Sequence, residues 1–359
     1  IPNTLIKIIG NNNFNHNQAK NILFKGIKGA IFFSIIPLLF FYFGSDYISN
    51  TIFENPKLKT YFLVVAFSIP LFIVHEIYLN FFIAIKDFFK YNLLMFVIPN
   101  ILLFIFLYFF KQLSLNNHYS FIAFSCAILI TVVLETLILF KINPKKETVN
   151  ISTKELLKTA TPFLFSGLFL YLLNYTNIIL LEYYFNDIQV GIYNIAYKVG
   201  SVGFLVIVSV STIITPKMAE LYGKGNIIEL KKLTNKATQL IAILSTPIVF
   251  ILIFYSKYIL SFWGTELIEG NTTLIIISIG VLLSAIAGNV DQLLNMTENQ
   301  NILRNITFFS FLVNLILGLI LIPIYGIVGA AISSLVTNVL INLICIYYIK
   351  KKLGFYTLF

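Results

Sequence analysis

Ten stretches of this chain stay apolar for the roughly 20 residues a helix needs to cross ~30 Å of hydrocarbon, or slightly fewer with snorkelling ends. They cover 29–44, 60–85, 91–110, 119–140, 159–181, 191–215, 237–256, 272–294, 306–322 and 326–348. The first is short, with room to extend upstream through Gly26. The runs are continuous where a membrane β-barrel would alternate, so strands are excluded. Only 11% of the residues are charged and 58% are hydrophobic, against roughly 25% charged in a soluble domain. The expected fold class is an all-α polytopic membrane protein. Pro37, Pro70, Pro99 and Pro247 fall inside these runs, which bundled membrane helices tolerate because neighbours re-satisfy the freed carbonyl.

Orientation follows from the basic residues, which concentrate on the cytoplasmic side of membrane proteins. With residues 1–28 placed in the cytoplasm and the runs alternating from there, 20 of the 25 Lys and Arg fall on the cytoplasmic side. Four (Lys57, Lys59, Lys111 and Lys257) fall opposite, and Lys198 lies inside a run. Both ends of the chain are therefore expected in the cytoplasm, with membrane lipids as the surroundings. The net charge of +10 is an orientation signal, and no nucleic-acid partner is read from it.

The longest internal hydrophilic interruption, 141–158, carries Lys141, Pro144, Lys145 and Lys146. It ends in Ser152-Thr153-Lys154-Glu155, which has the spacing of a capping box and announces a helix. It divides the chain into 1–150 and 151–359, and the halves resemble each other. Asp46-Tyr47-Ile48 follows a run holding Pro37, as Lys257-Tyr258-Ile259 follows one holding Pro247. Lys90-Tyr91-Asn92 precedes a run as Leu303-Arg304-Asn305 does, and Tyr119-Ser120-Phe121 matches Tyr325-Gly326-Ile327. The shared order, with shared orientation, indicates a parallel repeat. The first half lacks a counterpart of 159–215. Twelve spans are thus expected in the natural protein, this chain starting at the cytoplasmic end of the second.

No catalytic apparatus is legible. The chain has no GxxxxGK loop, HExxH, CxxC or GxSxG, so no enzyme activity and no cofactor are expected. His16, His75 and His118 are scattered and read as no metal site, and Cys126 and Cys345 read as small core residues. The extracytoplasmic loops are too short for a polysaccharide polymerase or glycosyltransferase, and nothing supplies an ATP motor.

The remaining chemistry is polar content at membrane depth, which costs at least ~2.5–3.5 kcal/mol per ionisable group and so faces a cavity or a partner. Glu76 lies ~13 Å from the cytoplasmic end of its helix and Lys198 ~10 Å from the outer end of its own, at 1.5 Å per residue. Glu135 and Asp291 are shallower and read as snorkelling. Asn194, Lys198, Ser201, Ser209 and Thr212 fall within about 80° of arc on a helix over 191–215, one polar stripe along its length. Gly280, Ser284, Gly288 and Asp291 form a second, continuing to Asn295 on 272–294; such stripes serve as packing seams or as cavity walls. Asn80 follows Glu76 by one turn, and Ser166, Asn174 and Asn177 decorate 159–181.

Gly191-Ile192-Tyr193-Asn194-Ile195-Ala196-Tyr197-Lys198 resembles the G-x-Y-x-x-A-x-[KR] stretch of polysaccharide flippases in the MATE-like MOP exporter superfamily. Thr215-Pro216-Lys217-Met218-Ala219-Glu220 and Tyr325-Gly326-Ile327-Val328-Gly329 look like further recurring features. The most similar subgroup is the Wzx-type flippases of O-antigen or capsule repeat units. The resemblance implies a MATE-like two-bundle transporter of the bacterial cytoplasmic (inner) membrane. It would move undecaprenyl-diphosphate-linked oligosaccharide outward by alternating access around a cationic cavity, without ATP. It implies Lys198 as the diphosphate or sugar-acid contact, with Asn194, Ser201, Asn177 and Asn174 as cavity residues. Glu76 and Asp291 are the candidate carboxylates for coupling to an H+ or Na+ gradient. A polysaccharide polymerase machinery is an implied partner. The alternatives are an ion-coupled multidrug antiporter or a lipid II flippase of the same superfamily. Finally, the apolar and basic residues interleaved in 217–236 read either as a helix lying on an anionic leaflet or as a solvated connector.

Overall fold

A computed structural model describes residues 2–12, 14–112, 119–140 and 151–357. Of the sequence features singled out above, His118 and the lysine- and proline-bearing part of the interruption, 141–150, lie outside the described residues. The described residues are helical throughout, with no strand. The helices are α1 (Pro2–Asn11), α2 (His16–Tyr47), α3 (Leu58–Ala84), α4 (Phe88–Asn92), α5 (Ile98–Gln112), α6 (Tyr119–Phe140) and α7 (Thr153–Tyr184). There follow α8 (Asp187–Gly200), α9 (Phe204–Gly223), α10 (Ile227–Phe254), α11 (Ser256–Ser261), α12 (Asn271–Ala287), α13 (Val290–Met296) and α14 (Gln300–Leu353).

Short polar side chains mark the starts. Asn15 and Gln18 form a reciprocal capping box at α2, and Asn186 and Asn226 accept from backbone N–H groups at the starts of α8 and α10. Ser152 Oγ accepts from Glu155 N at 3.1 Å ahead of α7, as the capping-box spacing predicts. Between these caps the helices are apolar nearly all round. Outward faces carry Phe32, Phe40, Phe43 and Phe104, all well exposed, the pattern of helices whose solvent is lipid.

Nine helical stretches among the described residues are long and apolar enough to cross a membrane. The last, α14, runs for 54 residues, about 80 Å at 1.5 Å per residue, far more than one crossing. It is a hairpin. Gly326 adopts φ 54°, ψ −131°, and beyond it the chain folds back. A Cβ on Gly329 would lie 2.3 Å from the carbonyl oxygen of Leu321, and Thr337 Oγ1 reaches Asn314 Oδ1 at 3.4 Å. Separate apolar runs at 306–322 and 326–348 are therefore the two antiparallel arms.

The chain divides into two compact units, Ile1–Ala160 and Thr161–Phe359. In the first, α2 packs along α3, α3 against α6, and α5 against α6. Residues 1–28 form α1 and the first turns of α2, with Leu5, Ile22 and Leu23 wholly buried. Lys20 donates to the Leu139 carbonyl and Lys25 to that of Ile151 at 2.7 Å, so two lysines of α2 hold chain on either side of 141–150. In the second unit, α12 is the hub, packed on α8, α10 and α14. Its core gathers Leu181, Ile192, Tyr193, Ile277, Ile322, Ala330 and Ala331.

Two helices expected to be continuous are broken. The run 191–215 becomes α8 and α9 joined by a 3₁₀ turn, Ser201–Gly203. Gly200 and Gly203 lie hard against α12, where a Cβ would stand 3.0 Å from Ile277 Cγ2 and 2.7 Å from Val281 Cγ1. The run 272–294 breaks at Gly288 (φ 77°) into α12 and α13. The segment 217–236 is the end of α9, a turn at Gly225, and the start of α10 rather than one helix. There Leu230 is wholly buried in protein. Lys231, Lys232 and Lys236 line a groove of about 370 Å³ on the outer face of α10.

Candidate functional site

Alpha-helix α8 begins at Asn186 and presents two faces. Ile192, Tyr193, Ala196 and Val199 turn into the protein, because three- and four-residue spacings share one side of a helix. Lys198 turns out and is exposed, with Asn194 half-buried one turn before it. Among the described residues Lys198 makes no ion pair. Its neighbour Tyr197 donates to Asn174 Oδ1 of α7 at 2.9 Å. The structure thus brings Asn174, Asn194, Tyr197 and Lys198 to one polar edge of the second unit. Tyr197 was not singled out in the sequence, where its aromatic ring counted as part of the apolar run.

Behind that edge lies a buried polar network. Asn177, one turn on from Asn174, is fully buried. Its Nδ2 donates to the Ala330 carbonyl at 3.2 Å and to Ser334 Oγ at 2.8 Å. Its Oδ1 accepts from Asn314 Nδ2 at 3.3 Å and Ser333 Oγ at 3.2 Å, and Tyr193 OH lies 3.5 Å from Ser334 Oγ. Every polar atom of the Asn177 amide is engaged with α14, so it packs α7 on the hairpin. Ser166 is likewise buried, bonded to the Phe163 carbonyl.

Ser201 falls in the 3₁₀ turn with its hydroxyl buried. A 3₁₀ turn advances 120° per residue against 100°, so its three residues put α9 about 60° out of phase with α8. The single stripe expected from Asn194 to Thr212 is therefore interrupted. Ser209 and Thr212 spend their hydroxyls on carbonyls of their own helix, while Ser211 turns inward and donates to Asn289 Oδ1. The second stripe is a packing seam over Gly280 and Ser284: Ser284 Oγ accepts from Asn342 Nδ2 of α14 at 3.0 Å. It stops at the Gly288 break. Asp291 begins α13, half-buried, with Gln292 Nε2 at 3.4 Å, away from Lys198 in sequence and in helix.

In the first unit, Glu76 is exposed on α3, and Asn80 Nδ2 donates to its backbone carbonyl at 2.9 Å. Glu135 departs from expectation. It does not snorkel: it is wholly buried, and His75 Nδ1 lies 2.9 Å from its Oε1 across the α3–α6 seam. These residues, 60 apart in sequence, could have been found only by noticing that His75 and Glu135 each sit about 15 Å or less from the same end of their helices. No group of three His, Cys, Asp or Glu able to hold a metal occurs among the described residues.

Comparison with known proteins agrees with this architecture. A family model described as polysaccharide biosynthesis protein matches residues 28–269. The capsular polysaccharide biosynthesis protein CapF of Staphylococcus aureus is 30% identical over 176 residues, 49% of this chain and 44% of that protein. A probable low-salt glycan biosynthesis flippase, Agl15 of Haloferax volcanii, is 22% identical over 182 residues, 50% of this chain and 39% of its own length. The chain thus spans less than half the length of either curated relative in these matches. Among solved structures, a MOP superfamily transporter from Pyrococcus furiosus superposes with a TM-score of 0.84 at 12% identity, covering 98% of this chain and 82% of that one. A Vibrio cholerae MATE transporter, VcmN, gives 0.82 at 16%, covering 98% and 84%. The fold is that of a multi-pass MATE-like membrane transporter.

Proposed function

The chain belongs to the polysaccharide biosynthesis protein family, and from that premise we propose that it is a flippase for polyprenyl-diphosphate-linked oligosaccharide. The cargo would be an undecaprenyl-linked O-antigen or capsule repeat unit, carried across a bacterial cytoplasmic membrane by alternating access. Both ends of the chain would lie in the cytoplasm.

The observation that supports this reading is Lys198, an exposed ammonium within an apolar helix and inside the family-matched region. An unpaired cation at membrane depth is costly unless an anion or water answers it. A diphosphate supplies that anion, and lysine offers it three donors from a compact point charge. Asn174, Asn194 and the Tyr197 hydroxyl stand beside it as neutral partners for sugar hydroxyls. The flippase transports without chemical conversion of its cargo. An H+ or Na+ gradient would drive it, with Glu76 as the exposed coupling carboxylate, and a polysaccharide polymerase would take up the delivered units.

The test is deletion of the chromosomal gene, followed by measurement of polyprenyl-linked repeat units on the cytoplasmic leaflet and of surface polysaccharide. Trapped intermediates and lost surface polymer, restored by wild type and not by Lys198→Ala, are expected. An unchanged surface glycan with altered dye efflux would replace this reading with that of a drug antiporter.

A further inference from the structure

The His75–Glu135 pair is the most heavily buried ionisable contact among the described residues, at 6% and 0% side-chain exposure. Glu135 Oε1 meets His75 Nδ1, while Oε2 is buried with no hydrogen-bond partner. An ionised carboxylate left half-satisfied in low dielectric is a costly arrangement. One proton on Oε2 would relieve it.

The repeat sharpens the point. The register set by Tyr47 and Tyr258 places His75 within two residues of Ser284, and that set by Tyr119 and Tyr325 places Glu135 within one residue of Asn342. Ser284 and Asn342 bridge the corresponding seam of the second unit, between α12 and the second arm of α14, at 3.0 Å. The same packing job is done there by two neutral groups that do not titrate in water's pH range. An ionisable pair is therefore unnecessary for holding such a seam together.

We infer that His75 and Glu135 form a buried proton-binding site built into the α3–α6 seam. With one exchangeable proton shared across the Nδ1–Oε1 contact or carried on Oε2, the pair is neutral overall. A second proton adds to the carboxyl, giving imidazolium beside carboxylic acid with a net charge of +1. Loss of the first leaves neutral imidazole beside carboxylate, net −1. Each step changes charge in the seam without changing its size.

The groups around the pair do not satisfy it. On α3, Glu76 lies within electrostatic range of Glu135, and the Tyr78 hydroxyl is turned to Thr136 at 3.1 Å. On α2, the Lys20 ammonium is engaged by the Leu139 carbonyl, one turn past Glu135, and the His16 ring lies tilted beside that of Phe81 at 6.2 Å between centroids. Lys7 of α1 is buried, and Lys90 of α4 is paired with Asp87. Tyr108 and Lys111 are the titratable residues of α5, which packs on α6. None of these donates to Oε2.

The chain has three histidines, which makes the experiment direct. Ring-nitrogen NMR of ¹⁵N-histidine-labelled protein in lipid nanodiscs is followed from about pH 4 to 9, with His16→Gln and His118→Gln isolating the His75 signals. The expected result is a pH-dependent change of both ring nitrogens, removed by Glu135→Gln. The double variant His75→Ser with Glu135→Asn, which imports the bridge of the second unit, is expected to fold and to lose one component, that of Glu135, from the protonated-carboxyl region of the pH-difference infrared spectrum. A His75 that keeps one protonation state throughout in the otherwise native pair would overturn the inference. So would an infrared difference unchanged in the double variant, or a His75 response that follows sodium concentration instead of pH.

Discussion

The Tyr197 hydroxyl of α8 donates to Asn174 Oδ1 of α7 at 2.9 Å, one residue before the exposed ammonium of Lys198. A helix-to-helix bond at this position fixes the rotation of α8 and with it the direction in which Lys198 projects. Tyr197→Phe removes one interhelical hydrogen bond, typically about 0.6 kcal/mol in a membrane. The expected outcome is a folded protein whose rate of glycan translocation falls about threefold. Lys198→Ala is expected to stop translocation while leaving the thermal unfolding midpoint in detergent unchanged.

Asn177 carries four bonds to the hairpin. At the same average value per bond, Asn177→Ala is expected to destabilise the protein by roughly 2–3 kcal/mol. The loss should appear in denaturant unfolding of the purified chain, and Asn174→Ala, on the exposed edge, should not share it.

Close packing of the 3₁₀ turn makes a different prediction. A methyl on Gly203 would meet Val281 Cγ1 at 2.7 Å, so Gly203→Ala is expected to cost about 1–3 kcal/mol by overpacking. Val281→Ala in the same chain should recover most of it. Additive losses in the double-mutant cycle would show that the two sites do not touch.

Acid sensitivity should arise at Asp87, in the connection between α3 and α4. Partial burial would raise its carboxyl, but hydrogen bonds from the Lys90 side chain and backbone outweigh burial and hold it below the usual range. A depressed carboxyl stabilises the folded form above its unfolded value, and that contribution is lost as pH falls through the folded one. Wild type is therefore expected to lose stability on acidification through the carboxylate range, and Asp87→Asn to show a flatter profile with lower stability at neutral pH.

On the gradient-driven reading, Glu76→Gln is expected to abolish the dependence of translocation on the ion gradient while leaving binding of the lipid-linked oligosaccharide in place. Vesicle assays with imposed proton and sodium gradients separate the two. Unchanged rate and unchanged gradient dependence would remove Glu76 from the coupling role.

Much of the scaffold was legible before any coordinates. Apolar runs announce helices because backbone polarity in lipid has to be satisfied within each segment. Ser152 announced the start of α7, and Gly191 to Lys198 carried the family. Lys198 could be picked out because a charge in such a run has no local reason to be there. The two stripe readings that failed had one cause. Uniform steps of 100° carried the 191–215 stripe straight through Ser201–Gly203, and the 272–294 stripe through Gly288, because periodicity assumes a helix that does not break.

What the sequence alone determined is the class of molecule: helical, membrane-spanning and marked by a basic residue in an apolar helix. These are properties of single segments, set by hydrophobic length and local charge. Tertiary structure decided what each polar group means. Asn177 and Ser334 lie 157 residues apart and His75 and Glu135 lie 60 apart, so no local pattern separates these buried partners from the exposed edge of Asn174 and Lys198. A helical face can be read from the chain; which helix packs against it depends on how all of them share one core.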